Sequence, residues 1–334
     1  MAAQRKKLSE QVLVITGASS GIGLTTAKKA AERGARVVLA ARDEEGLRQA
    51  VEEIRSQGGE AVHVVADVAD PQEVQTIADT AIQSFGGFDT WVNNAGTSIY
   101  GRALEIPTDE AHRLFETNYW GTVNGSRVAV EHLRQKGGVL INIGSIVSER
   151  AVPLQSHYTA SKHAVKGFTD SLRMELEEEG APVAVTLIQP AAINTPFPEH
   201  AKSYLEVEPK LPAPVYAPEE VAHGILACAE KPRRDLIIGG GGRMMTAMEH
   251  LSPRLGDRYM EATMFAAQKT DRPARPDRPD ALYRPMPGSG REHGDYPGHV
   301  MRTSAYTRAT LHPGMLAVLA LAGVWMALSM RQAY

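Results

Sequence analysis

The stretch Val12-Leu13-Val14-Ile15-Thr16-Gly17-Ala18-Ser19-Ser20-Gly21-Ile22-Gly23 runs into a helical segment, Leu24 to Arg33, that stops at Gly34. Together these residues read as an apolar strand, a glycine-rich turn and a helix. Glycine is needed where the backbone turns tightly and where a side chain would collide with an anion lying against the chain. The start of the helix offers unpaired N–H groups to that anion, which makes Gly17, Ser19, Ser20, Gly21, Ile22 and Gly23 candidate contacts for a pyrophosphate. A glycine-rich turn alone is weak evidence; its position between strand and helix gives it weight.

Outward from this unit, short apolar runs alternate with segments of helical period from about residue 11 to 240. The predicted strands are Val12 to Ile15, Val37 to Ala40, Val62 to Val65, Asp89 to Val92, Val139 to Asn142, Val183 to Ile188 and Leu236 to Ile238. Continuous apolar runs mark strands buried on both faces, and right-handed crossovers between them give an α/β fold. The expectation is a Rossmann-like, doubly wound parallel sheet of about seven strands, with helices on both faces and ligand beyond the carboxyl ends of the strands. The second strand ends in Ala40-Ala41-Arg42. An acid there would bond the 2′-hydroxyl of NAD, whereas a guanidinium fits a 2′-phosphate, so the cofactor expected is NADP in preference to NAD. The alternative is a solvated Arg42 paired with Asp43 or Glu44.

The formal net charge of -3 on 334 residues leaves no broad basic field, which argues against nucleic acid as a principal partner. The single cysteine, Cys228, cannot form an internal disulfide and reads as a small core residue. Met1 to Lys7 is charged with no apolar run behind it, so a reduced, cytosol-facing compartment is expected. None of the 11 histidines lies in a metal-binding pattern, and no metal is expected.

The composition changes after about residue 267. Gln268 to Pro287 is proline-broken and charged, and reads as a linker or surface wrap with little to bury. No charged residue occurs from Ala309 to Met330, and the helix expected from Pro313 to Met330 is about 27 Å long, at the short end of spanning length. Apolar on all sides, it is expected to cross a membrane with the catalytic domain on the cytoplasmic face; docking on its own domain or on a twin subunit is the competing reading. The expected organisation is therefore a tail (1–10), a catalytic domain (11–245), an extension (246–308) and a candidate transmembrane helix (309–334).

In Tyr158-Thr159-Ala160-Ser161-Lys162 the tyrosine and lysine are four apart, on one face of a helix, where an ammonium favours the phenolate and lowers the tyrosine pKa. On spacing alone a surface pair is the better reading. Ser145, thirteen residues earlier and just past a strand, shifts that balance, because ligand sites form at such strand ends. The segment Pro196 to Pro218, with four further prolines between, sits where a substrate lid would be.

Gly17-x-x-x-Gly21-x-Gly23, Asn93-Asn94-Ala95-Gly96, Ser145 and Tyr158-x-x-x-Lys162, in this order, resemble the classical short-chain dehydrogenase/reductase family over about residues 10 to 240. The resemblance implies an NAD(P)-dependent oxidoreductase that interconverts a carbonyl and an alcohol by hydride transfer. Its catalytic residues would be Asn118, Ser145, Tyr158 and Lys162, with Tyr158 as acid and base. Asn118 would hold a water linking Lys162 to solvent, and Lys162 would also grip the nicotinamide ribose. Asp67 and Val68 would meet the adenine, Asn94, Ala95 and Gly96 would line the cofactor, and Pro190, Ile193 and Thr195 would flank the nicotinamide. Where the family has Pro-Gly, this chain has Pro190-Ala191, which stiffens that loop. A homodimer or homotetramer is implied, and a membrane location would suit a lipophilic substrate. The alternative from another class is a catalytically silent dinucleotide sensor or scaffold, against which the complete set of four polar residues argues.

Overall fold

The computed structural model describes residues 6–241, 252–275, 277–286 and 290–312. All seven expected strands form: β1 (Val12–Thr16), β2 (Arg36–Ala41), β3 (Glu60–Val65), β4 (Thr90–Asn93), β5 (Gly138–Ile143), β6 (Val183–Pro190) and β7 (Asp235–Ile238). They make one sheet in the order β7-β6-β5-β4-β1-β2-β3, parallel throughout. The order reverses at β1, whose neighbours are β2 and β4, and a crevice opens beyond their carboxyl ends.

Side-chain alternation along the strands feeds two cores. Leu13, Ile15, Val37 and Leu39 pack with helices α1 (Gly21–Glu32), α2 (Glu44–Ser56) and the later Pro218–Glu230 on one face. Val12, Val14, Val38 and Ala40 point the other way, into the core made with α3 (Pro71–Phe85), Gly121–Lys136 and Ser156–Glu178. Cys228 is wholly buried in the first of these cores, and burial pushes its thiol up to about 12, as expected of an inert core residue. Local signals start and stop the helices. Asp70 caps α3 by accepting from the N–H groups of Gln72 (2.8 Å) and Glu73 (3.3 Å), with Pro71 behind it, and α3 ends on left-handed Gly86.

At the centre of the sheet Asn93 lies beside Asn142 in the register of β4 and β5, and their amides are joined at 2.9 Å. Asn142 then donates to Thr169 Oγ1 at 2.9 Å. This buried, mutually satisfied pair fixes the long helix Ser156–Glu178 against the strand ends, and that helix carries Tyr158 and Lys162.

The described C-terminal residues, up to 312, pack onto the domain. Helix Pro253–Ala267 packs Met260 and Met264 against Ile146, Val147 and Val152. Lys269–Pro273 pairs antiparallel with Val207–Pro209, and Val300–Met301 joins Val215–Tyr216 and Ala192–Ile193 in a small parallel sheet. The expectation of little to bury after residue 267 is corrected here, since Gln268 and Leu282 are both fully buried. The segment is a wrap whose few inward residues carry its attachment. Helix Ala305–Leu311 docks through buried Leu311, whose carbonyl accepts from Arg233 at 2.8 Å. Among the described residues no helix is long and apolar enough to cross a membrane, and the span expected at 313–330 lies outside them.

Candidate active site

A cavity of about 360 Å³ lies beyond the carboxyl ends of β1, β4 and β5, a size suited to a small-molecule ligand. The glycine turn forms one wall, through Gly17, Ser19, Ser20, Gly21 and Ile22. Gly17 and Gly23 are required by the protein's own packing as well. A Cβ on Gly17, held at φ +64°, would stand 2.8 Å from Ala95 Cα, and one on Gly23 would stand 2.2 Å from the Gly17 carbonyl oxygen. Asn94 ties the two loops together, its amide donating to the carbonyls of Thr16 (2.9 Å) and Gly17 (3.2 Å). Gly23 itself does not line the cavity; it lets the turn close.

Opposite, Ser156–Glu178 begins just before Tyr158, so Tyr158 and Lys162 occupy its first two turns and both face the cavity. Lys162 Nζ lies 5.9 Å from the centre of the Tyr158 ring and donates to the Ile143 carbonyl at 2.9 Å, which anchors it to the end of β5. Ser145 is buried after that strand, and its hydroxyl hydrogen-bonds the Tyr158 phenol. Ser145 Oγ also accepts from Val147 N–H at 3.3 Å, which holds the hydroxyl in place.

The charge states differ from the expectation in one respect. Burial pushes Tyr158 up to about 12, and the Ser145 hydrogen bond only partly offsets it, so the phenol is held in its neutral form. Spacing placed the ammonium correctly, but desolvation outweighs it. Burial also brings Lys162 down to about 8, leaving it charged at neutral pH with little margin.

Asn118 sits in a single π-helical turn, Glu116–Trp120, rather than in a regular helix interior. The widened turn points its amide across to Thr97, accepting from its N–H at 2.8 Å and donating to its carbonyl at 3.0 Å, and the second N–H reaches Ser161 Oγ at 3.0 Å. Both amide hydrogens are thus committed to bracing the loop after β4 against the helix of Tyr158. A Cβ on Gly96 would meet Asn118 Oδ1 at 3.4 Å and Lys162 Nζ at 3.8 Å, ordinary contact distances, which places Gly96 between Asn118 and the lysine. Pro190, Ile193 and Thr195 close the same end, with Ala95 and Gly96 beside them.

At the far end the cavity is lined by Arg42, Asp67 and Val68. Arg42 pairs neither with Asp43 nor with Glu44. Asp43 instead caps α2, accepting from Gly46 N–H at 3.2 Å. The Arg42 guanidinium donates to the carbonyls of Leu282 (3.3 Å), Tyr283 (3.2 Å) and Ala281, and lies 3.8 Å from the Asp67 carboxylate, which is closely paired with Arg113. Arg113 also faces Glu116 at 3.4 Å, and Asp43 lines the cavity beside Arg42, so the two guanidiniums at this end stand among carboxylates.

Several lining residues carry no sequence signal. His200 ends the short helix Phe197–His200 and lines the cavity; its Nε2 is buried with no partner among the described residues, and burial brings the ring down to about 4. Tyr259, Met264 and Gln268 come from the C-terminal helix and its end, and Gln268 is joined to Gln155 at 2.6 Å. The proline-punctuated segment expected as a lid contributes Leu211, Pro212 and Pro214 to the wall. Among the described residues no group of three or more His, Cys, Asp or Glu side chains is placed to hold a metal ion.

The residues present fit an elongated dinucleotide: a helix start and glycine turn in the middle, cationic groups at one end, and a tyrosine, serine and lysine at the other. Comparison with known proteins agrees. Residues 11–204, more than half of the chain, match the short chain dehydrogenase family. The uncharacterized oxidoreductase YxnA of Bacillus subtilis is 48% identical over 311 residues, covering 92% of this chain and 87% of that protein. Dehydrogenase/reductase SDR family member 7B of Bos taurus is 34% identical, covering 70% and 75%. Among solved structures, a short chain dehydrogenase/reductase from Burkholderia phymatum in complex with NAD superposes with a TM-score of 0.68 at 27% identity, over 75% of this chain and 96% of that one. L-Sorbose reductase from Gluconobacter frateurii, complexed with NADPH and L-sorbose, gives 0.62 at 26% identity, over 71% and 98%. This chain belongs to the short-chain dehydrogenase/reductase family and is an NAD(P)-dependent oxidoreductase.

Proposed function

We propose that the chain interconverts a carbonyl and an alcohol on a lipophilic substrate, with NADP as its cofactor and Tyr158 as acid and base. The carrying observation is the meeting of Tyr158, Ser145 and Lys162 on one wall of a cavity whose middle is the glycine turn. When bound, the nicotinamide ring supplies or accepts the hydride. In the reducing direction the substrate oxygen gains charge, and the neutral Tyr158 phenol, with its proton held by burial, donates to it. The Ser145 hydroxyl stands beside the same oxygen as a second donor. Lys162 acts once the proton has left, because its ammonium then faces a phenolate, and it grips the cofactor ribose. Asn118 positions the helix and holds the water that returns the proton, through atoms other than its two committed amide hydrogens.

Two features support a lipophilic substrate. The catalytic end is walled by Ile146, Val147, Val152, Phe197 and Met264, and Phe197 packs against the Tyr158 ring at 5.7 Å. Each buried methylene contributes about 0.8 kcal/mol, roughly fourfold in affinity. A homologous series of straight-chain ketones, followed by NADPH absorbance, is expected to show kcat/KM rising with chain length; a flat or falling series would refute the apolar assignment. NADP is favoured by Arg42 and by the lack of an acid at the end of β2. We also propose that the chain assembles as a homodimer or homotetramer and is held to the cytoplasmic side of a membrane by residues 313–330. Deleting 313–334 should then release it from the membrane fraction; a change of oligomeric size alone would favour an assembly role for the tail.

A further inference from the structure

The C-terminal segment crosses the dinucleotide cleft at three stations. At the Arg42 end, the carbonyls of residues 281–283 accept from the guanidinium's Nη1 and Nη2. At the glycine turn, the Arg291 carbonyl accepts from Gly21 N–H at 2.8 Å. Beyond β6, Gly294 N–H donates to the Asn194 carbonyl at 3.3 Å, and a Cβ on Gly294 would stand 2.4 Å from the Thr195 carbonyl oxygen. These are the three parts of the site that meet, in turn, the adenosine end, the pyrophosphate and the nicotinamide side in the dinucleotide reading.

The same segment is attached to the domain at points away from the cavity. Leu282 is fully buried among Ile99, Ile106, Ala111 and Leu114. Arg278, with its side chain only 8% exposed, donates to the Pro198 carbonyl at 2.6 Å and pairs with Glu208 at 2.9 Å. Glu292 pairs with Lys28 on α1 at 2.9 Å. Ala281, Pro285 and Met286 turn toward the cavity and line it. A ligand in this cavity therefore has the sheet ends below it and this chain's own strap above it.

We infer that this strap is the outer wall of the dinucleotide site and sets the rate at which the cofactor leaves. This rests on the dinucleotide reading of the cleft. Release requires lifting the strap from Arg42 and Gly21 and withdrawing the Leu282 pin, so exchange is coupled to strap opening rather than to diffusion from an open crevice.

The test uses the full chain and NADPH as the probe. Protein loaded with NADPH is mixed rapidly with excess NADP, and the loss of energy transfer from tryptophan to the reduced nicotinamide gives the release rate. Leu282→Ala removes the pin; Gly294→Ala pushes the strap from Thr195 without opening the core, and serves if the first variant folds poorly. At least tenfold faster release in the variants than in the unaltered chain is expected. Release within twofold of the unaltered chain in every folded variant would overturn the inference. If neither NADPH nor NADH bound the unaltered chain at equilibrium, the dinucleotide reading would fail, and the strap assignment with it.

Discussion

At the Tyr158 end of the cavity the functional groups arise from one helix and the strand end beside it, and their charge is governed by burial. At the Arg42 end the partners of the guanidinium come from about 240 residues later in the chain and are peptide carbonyls, and solvent is nearer. The first end is braced by local hydrogen bonds and tuned by burial; the second is assembled by a strap folding over the sheet. In the proposed reading, one end of the ligand meets the groups that move the proton and the other meets contacts supplied by the strap. Substitutions at the two ends should separate the chemical step from cofactor binding and release.

The largest effect short of the tyrosine itself is expected at the catalytic end. Lys162→Ala should lower kcat/KM by about a thousandfold, within the range of positioned acid–base groups, and should weaken nucleotide binding as well. A change in affinity alone would limit Lys162 to gripping the ribose. At the other end, Arg42→Gln should raise the Kd for NADP by about 10- to 100-fold, the worth of one or two charge-assisted bonds. NAD affinity should change much less, and equal losses for both cofactors would show that Arg42 serves the strap and not the 2′-phosphate.

The pH dependence separates the ends further. Lys162 is charged below about 8 and neutral above it, while Tyr158 stays protonated to about 12. The rate of carbonyl reduction should therefore hold at neutral pH and fall by roughly fivefold between pH 8 and 9. Lys162→Arg, charged throughout, should remove that alkaline limb even if the plateau is lower. For the strap, Leu282→Ala should cost about 2–4 kcal/mol of stability, seen as a lower denaturant midpoint with an unchanged slope. Glu292→Gln, which removes the partly exposed partner of Lys28, should cost under about 1 kcal/mol.

What could be read in the chain before folding follows the same division. The central strands were legible because they are buried on both faces and so read as continuous apolar runs, while the edge strands β3 and β7, partly exposed, showed through shorter apolar runs. Helical spacing puts Tyr158 and Lys162 on one face, but it was Ser145 at a strand end and the glycine turn that made the pair legible as a candidate site. The direction of the Tyr158 shift was not, since spacing reports a neighbouring charge but not how deeply the pair is enclosed. Asn118 came only from the family resemblance, because a π-helical turn has no composition of its own to read. Leu282 is one apolar residue in a charged, proline-broken stretch, and only the pocket that receives it gives it weight. The contacts of Arg42 with residues 281–283, and the His200 Nε2 that has no partner among the described residues, depend on the fold and not on any local pattern.

The central claim is that Tyr158 moves the proton while the rest of the cavity holds the cofactor. Single-turnover hydride transfer from NADPH to a responsive ketone, measured in Tyr158→Phe beside the unaltered chain with NADPH affinity determined for both, tests it most directly. A fall of at least a thousandfold in the transfer rate, with affinity within threefold, is the predicted result. Hydride transfer at the unaltered rate in Tyr158→Phe would contradict the account.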